Sequence, residues 1–408
     1  MRILVLAPYP PYPPRSGGAL RMFHLLRALA KQHTITLLSF APDESAAQAI
    51  APLRNLVRLL VVTGPPYRSL FQRALTTLLS PQPDMALRNA SMAYTAALHK
   101  LLTDEQFDVV LAESIEMAPY LLQVRKAGLY TILDEFNAEY LLQRRAALTD
   151  LRRFPAPKAL IGGIYSLIQW LKLAAFERYV LQVVDRVIVV SAEDELALRR
   201  LAPHAKLHIV PNGVDCMYFA PPTQAPPPTN DLVFVGTLDY RPNVDAVLWF
   251  VDAVFPLIKQ MHPALRLRLI GRRPHPNVLA LHDDRHIIVT GEVADTRPAL
   301  TEAAVVVIPM RIGGGSRLKL LEALAMATPV VSTSFGAEGV AGLRNGEHLL
   351  LADTPATFAQ AVSRLITDRA FAQQLGLAGR TFVCANYDWT RIAPRLEAAI
   401  SPAAILTS

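Results

Sequence analysis

Residues 305–333, VVVIPMRIGGGSRLKLLEALAMATPVVST, constrain this chain more than any other stretch. The apolar run 305–308 predicts a buried strand. Gly313, Gly314 and Gly315 follow it, then a helical pattern over 316–326 and a second apolar strand after Pro329. A glycine-rich loop that opens a helix at the end of a strand is suited to anions. Its amides can approach a phosphate closely, and the helix dipole favours negative charge there. Ser316, Lys319 and Glu322 are spaced by three and share one helix face. A cation and a carboxylate beside such a loop suit a sugar nucleotide, with Arg317 and Lys319 for the diphosphate and Glu322 for ribose hydroxyls.

The same residues admit a purely structural reading. Ser316 can be an N-cap. Lys319 and Glu322 can be a surface pair, which is worth only ~0.3–0.5 kcal/mol. Against this, the rest of the helix is Leu, Ala and Met, which predicts a largely buried element where charges have a task or a partner.

A chain of 408 residues exceeds one ordinary core, and 52% hydrophobic content supplies two buried sheets. Strands are expected over 2–7, 34–39, 109–112, 131–133 and 186–190, and again over 232–236, 265–270, 287–290, 305–308 and 330–332. Helical patterns separate them, among them 17–31, 244–260 and 298–304, so each half predicts a parallel, doubly wound α/β sheet. Between the halves, FAPPTQAPPPTN has five prolines in eight residues and reads as a stiff, exposed linker. The expected organisation is an N-terminal domain over 1–211, a linker over 212–230, a second domain over 231–385 and a C-terminal tail over 386–408.

Residues 1–210 carry 24 Lys and Arg against 17 Asp and Glu, whereas the remainder has 17 of each. A basic half beside a neutral one suits either an anionic partner surface or a plain solvated face. No nucleic-acid motif occurs, so nucleic acid is not expected as a partner. Cys216 and Cys384 have neither metal spacing nor a CxxC arrangement, and read as ordinary thiols in a reducing cytosol. The ten histidines form no ligand cluster, so no metal site is expected. The apolar start ILVLA is too short for a signal peptide and reads as a first strand. Residues 159–176 fall short of a span of ~20 apolar residues. They read as a buried helix, or as a helix lying on a membrane surface with Tyr165 and Trp170 as anchors.

GGGSRLKLLEALAMATPVVST resembles the donor-binding signature of the retaining glycosyltransferases of family four, which have the GT-B fold. Their pattern places two Glu residues eight apart ahead of a small-residue helix and a Pro-Val-Val strand. Glu322 matches the second Glu, and Gly314 stands in place of the first. Other segments agree in order: MRILVLAPYPPYPPRSGGALRMFHLLRALA, VIVVSAEDELALRRL with VPNGVD, LVFVGTLDYRPNVDAVLWF, and LRLIG with VTGEVADTRPAL.

The resemblance implies two Rossmann-like domains facing a central cleft, the nucleoside-diphosphate sugar on the second and the acceptor on the first, with a C-terminal helix over 386–408 that crosses back to the first domain. It implies a retaining, metal-independent transfer with no cofactor, to a glycan or lipid-linked acceptor, in surface polysaccharide or glycolipid synthesis. The cytoplasmic face of an anionic membrane is the expected location. Gly17 and Gly18 would contact the donor diphosphate, with Arg15 and Arg21 flanking. Gly236 and Arg241 lie in the loop that grips the diphosphate in relatives, where Thr237 replaces the usual Arg and Arg241 stands one place before the usual Lys. Arg317 and Lys319 would supply the catalytic charge, and Gly313, Gly314, Gly315, Ser316 and Glu322 the donor cradle. LDEFNAEY resembles a stretch that often reads Asp-x-His-Asn, with Phe136 in the His place. Asp134 and Asn137, with Glu113 on the preceding strand, are acceptor-side candidates. The replacements at Gly314 and Phe136 also fit a non-catalytic binding protein or a nucleotide-sugar epimerase.

Overall fold

The computed structural model describes residues 1–401 except 15, 65–66, 127, 153–156, 225–228 and 315–317, and does not describe the side chains of 126, 146, 149–152 and 157–162. The chain forms two compact units, Met1–Pro211 together with the chain from Ile392 onward, and Asn212–Arg391.

The first unit holds a seven-stranded parallel sheet: β1 (Arg2–Ala7), β2 (Thr34–Ala41), β3 (Arg58–Thr63), β4 (Val109–Glu113), β5 (Tyr130–Glu135), β6 (Arg186–Val189) and β7 (Leu207–Ile209). Their order is β3-β2-β1-β4-β5-β6-β7, so the winding reverses between β1 and β4. β1, β4 and β6 are apolar without alternation and almost fully buried, as strands covered on both faces must be. Helix α1 (Gly17–Leu29) follows β1, and Ser16 caps it by accepting from the Ala19 amide at 3.3 Å. Three further helices matter below: α2 (Leu70–Leu79), α3 (Glu139–Arg152) and α4 (Pro157–Val183).

The second unit repeats the plan with β8 (Asp231–Val235), β9 (Arg266–Ile270), β10 (Ile287–Gly291), β11 (Val305–Ile308), β12 (Val330–Ser332) and β13 (Leu350–Leu351). The order is β10-β9-β8-β11-β12-β13, with the reversal between β8 and β11. Helix α5 (Arg241–Trp249) follows β8 and continues through a wide turn, Phe250–Val254, to Met261. Helix α6 (Leu318–Ala325) follows β11 and buries Leu320, Leu321, Ala323, Leu324 and Ala325. The helix α7 (Trp389–Ile400) ends the described chain. Its second half belongs to the first unit, where Arg186 donates to the Ala399 carbonyl at 3.0 Å and His33 pairs with Glu397 at 2.8 Å.

Two expectations change. The start of the segment read as a linker is tied into the second unit: Val214 pairs with Asp388, and Phe219 joins its core. Pro222, Thr223 and Gln224 beyond it are exposed. Cys216 and Cys384 are not free thiols. They form a disulfide with Cα atoms 5.8 Å apart, within the ordinary range for the bond. The pairing escapes a spacing rule because 168 residues separate the two.

Candidate functional site

In the second unit the loops after β8 and β11 flank the reversal of strand order, where open α/β sheets bind ligands. Gly236 ends β8. A Cβ there would lie 2.9 Å from Lys319 Nζ and 2.9 Å from Asn243 Nδ2, so only glycine leaves those groups their places. Lys319 donates to Asn243 Oδ1 at 2.6 Å, and Asn243 donates through Nδ2 to the Thr237 carbonyl at 2.9 Å. The same ammonium stands 4.4 Å from the centre of the Phe234 ring, a contact that holds a cation without neutralising it. Both of these ties are to uncharged groups.

Glu322 lies one turn further along α6 and is half-buried. Burial pushes its carboxyl up to about 7, and the Lys319 ammonium acts in the opposite direction. Gly313 has φ 121°, a conformation open to glycine alone. Gly314 follows it, half-buried. Gly315, Ser316 and Arg317 lie outside the described residues. Arg241 begins α5. Arg311, which opens the glycine loop, is a bidentate partner of Asp245, with contacts of 2.8 and 3.1 Å. Among the described residues no group of three His, Cys, Asp or Glu side chains is placed to hold a metal ion.

In the first unit, the loop after β1 and those after β4 and β5 meet at the other reversal of order. Gly17 is exposed, and a Cβ on Gly18 would fall 2.0 Å from the Tyr9 hydroxyl and 3.0 Å from Phe136 Cε2. Gly18 thus makes room for a side chain of its own unit. Burial, then the carboxylates of Glu116, Glu113 and Glu139, raise the Tyr9 hydroxyl well above its ordinary range. Asn137 donates to Glu139 Oε1 at 2.9 Å, and burial pushes Glu139 up to about 7.

Asp134 and Glu113, read from the sequence as acceptor-side candidates, are both buried. Arg21 holds Asp134 with two contacts of 2.7 Å and donates to the Val210 carbonyl at 2.9 Å, and both side chains are buried. Glu113 is buried beside this pair. Burial first, then the Asp134 carboxylate, raise its carboxyl well above the carboxylate range. A neutral Glu113 can donate its proton to Asp134. Arg21, expected to flank the donor, is spent inside the unit.

Sequence reasoning reached Lys319, Glu322 and Gly236 through loop and helix spacing. Asn243 and Phe234 leave no local signal, since both act through Lys319, which is distant in sequence.

Residues 229–368 match the family described as glycosyl transferases group 1, and residues 16–213 match the glycosyl transferase 4-like domain. The chain is 25% identical to a glycogen synthase of Mycobacterium tuberculosis over 96% of its length and 92% of that protein's. It is 26% identical to a GDP-mannose-dependent alpha-(1-6)-phosphatidylinositol monomannoside mannosyltransferase of the same species, over 59% of this chain and 71% of that one. An uncharacterized 44.6 kDa protein in the cps region of Klebsiella pneumoniae is 25% identical over 40% of this chain, a stretch that spans less than half (44%) of that protein.

Two solved structures share the fold along the whole chain. Sucrose-phosphate synthase from Thermosynechococcus elongatus has a TM-score of 0.73 at 18% identity, with 100% of both chains covered. Anabaena HepE in complex with UDP has a TM-score of 0.66 at 14% identity, again with 100% of both covered. These neighbours and the two parallel sheets define a GT-B protein. The chain belongs to the group 1, family four glycosyltransferases, enzymes that take a nucleoside-diphosphate sugar as donor.

Proposed function

We propose that this enzyme transfers a sugar, with retention and without a metal, from a nucleoside-diphosphate sugar to a glycan or lipid-linked acceptor. One observation carries the donor assignment: Lys319, held by Asn243 against Gly236, and Glu322 one turn away sit beside the reversal of strand order in the second unit. The ammonium answers the charge that grows on the diphosphate as the glycosidic bond breaks, and Arg317 adds a second cation. Gly313, Gly314, Gly315 and Ser316 supply amides to phosphate or sugar, together with Gly236 after β8 and Arg241 at the start of α5. Glu322 accepts from ribose hydroxyls. UDP bound to HepE supports this nucleotide class.

On the acceptor side Asn137, in the loop after β5, keeps the role first read for it, and Glu139 at the start of α3 joins it. The lipid acceptor named for the mannosyltransferase relative supports a lipid-linked substrate here, and with it surface polysaccharide or glycolipid synthesis. The basic first half supports peripheral contact with the anionic cytoplasmic face of a membrane. No described helix is long and apolar enough to cross one. In that compartment the Cys216–Cys384 disulfide is an exception to the usual rule.

The test is incubation with UDP-, GDP- and dTDP-sugars, with chelator present, while nucleotide release is followed and the anomeric configuration of the product is read by NMR. Release of free nucleotide with a retained anomer is the expected result. Isomerised sugar without nucleotide release would make the protein an epimerase, and binding without turnover a scaffold.

A further inference from the structure

The helix α2 is built inside out. Its single buried residue is Thr77. Leu70, Phe71, Leu78 and Leu79 are 81%, 75%, 77% and 76% exposed. What attaches α2 to its unit is polar. Gln169 of α4 donates to Thr77 Oγ1 at 2.8 Å, and Lys172 of α4 donates to the Ser80 carbonyl at 2.6 Å. Arg73 reaches Tyr165 of α4 at 3.2 Å and Asp84 at 3.1 Å. The stretch of α4 that meets α2 shows the same inversion: Ser166 and Gln169 are buried, whereas Ile164, Leu167 and Leu171, spaced by three and four, form an exposed stripe; further along, α4 buries Leu173, Val180 and Leu181 in the ordinary way.

In water a surface helix turns its apolar face to the core and its polar face out. Here α2 and the adjoining stretch of α4 do the reverse, at a cost of roughly 25 cal/mol for each Å² of apolar surface left in water. Such an arrangement suits an apolar medium outside. The charge points to which medium. The polar layer that joins α2 to α4 holds Arg68, Arg73 and Lys172 with the carboxylate of Asp84, three cations to one anion, and the half of the chain that contains them carries 24 basic against 17 acidic residues.

We infer that α2 and the exposed stripe of α4 form a bilayer-insertion surface, which lies in the plane of an anionic leaflet with Leu70, Phe71, Leu78 and Leu79 in the acyl boundary. At ten residues α2 is far too short to span and has the length of an interfacial element. Tyr67, 90% exposed just ahead of α2, is placed as an interfacial aromatic. This inference rests on the membrane reading above and replaces its diffuse basic face with a defined apolar one.

The experiment uses the full chain, with vesicles of phosphatidylcholine alone or with admixed phosphatidylglycerol. Wild type, Phe71→Gln/Leu78→Gln and Leu167→Gln/Leu171→Gln are sedimented with each, and solution mass and thermal unfolding are followed in parallel. Wild type partitions to the anionic vesicles, and each double variant partitions at least about tenfold less, with unchanged unfolding, because two apolar side chains leave the boundary. Wild type and variants that sediment equally with anionic vesicles would overturn the surface while the membrane reading stands. Wild type that sediments with neither vesicle would overturn the membrane reading itself. A wild-type dimer that both variants convert to monomer would assign the face to a second copy and overturn the inference.

Discussion

Lys319 Nζ lies 2.6 Å from Asn243 Oδ1, and both side chains crowd the place where a Cβ on Gly236 would stand. Gly236→Ala therefore displaces two side-chain ends and leaves the backbone alone. Stability should change by about 1 kcal/mol or less, while nucleotide-sugar turnover falls at least roughly tenfold because the ammonium moves. Gly271→Ala is the contrast: its Cβ would fall 1.7 Å from the Gly236 carbonyl oxygen, a clash with backbone that no rotamer relieves. Thermal unfolding of the two variants, read beside turnover, separates a displaced ligand group from a broken sheet.

Glu322 sets a pH dependence. Its carboxyl is pushed from the ordinary 4.5 up to about 7, with burial the first cause. The folded state then binds more protons than the unfolded state between those values. The stability contribution is complete below the ordinary value and is lost as pH rises through about 7. Glu322→Gln should be more stable than wild type at pH ~8, by ~3 kcal/mol at most, and no more stable at pH ~4. Donor affinity of wild type should run the other way and rise with pH across this range, because the ionised carboxylate is the better acceptor for ribose hydroxyls. Denaturant titrations and calorimetry at several pH values check both slopes.

The Arg21–Asp134 pair is structural. Asp134→Ala leaves a buried guanidinium uncompensated and should cost ~3–5 kcal/mol. Glu113→Gln replaces a neutral carboxyl by a neutral amide of the same shape, with Nε2 free to donate to Asp134. It should unfold within about 1 kcal/mol of wild type. Chemical denaturation of the two variants tests the protonation of Glu113, since an ionised Glu113 would make the Gln variant distinctly more stable.

The disulfide closes a 168-residue loop within the second unit. Reduction should destabilise that unit by ~2–4 kcal/mol. The check is thermal unfolding with and without reductant, paired with thiol alkylation of the protein as isolated. Two alkylatable thiols before reduction would place Cys216 and Cys384 in the reduced form.

The sheets were largely legible because buried parallel strands are continuous apolar runs, as at β1, β4 and β11. β13 was not, since two residues carry no period. β3 lies at the sheet edge with a half-buried pattern, which blurs its apolar signal. Spacing within one helix exposed Lys319 and Glu322 as a pair. It could not show that Asn243, 76 residues earlier, holds the lysine, nor that Asp134 is taken by Arg21, 113 residues earlier. Those partnerships are made by strand order, which the sequence encodes only through the whole fold.

The central claim is that the donor is held on the second unit by Lys319 and Glu322. Calorimetric titration of Glu322→Ala with the nucleotide sugar that wild type turns over tests it most directly. Loss of buried hydrogen bonds to the ribose predicts affinity weaker by about tenfold to a hundredfold, or ~1.5–3 kcal/mol, in a variant that still folds. Unchanged affinity would contradict the assignment and move the nucleotide elsewhere.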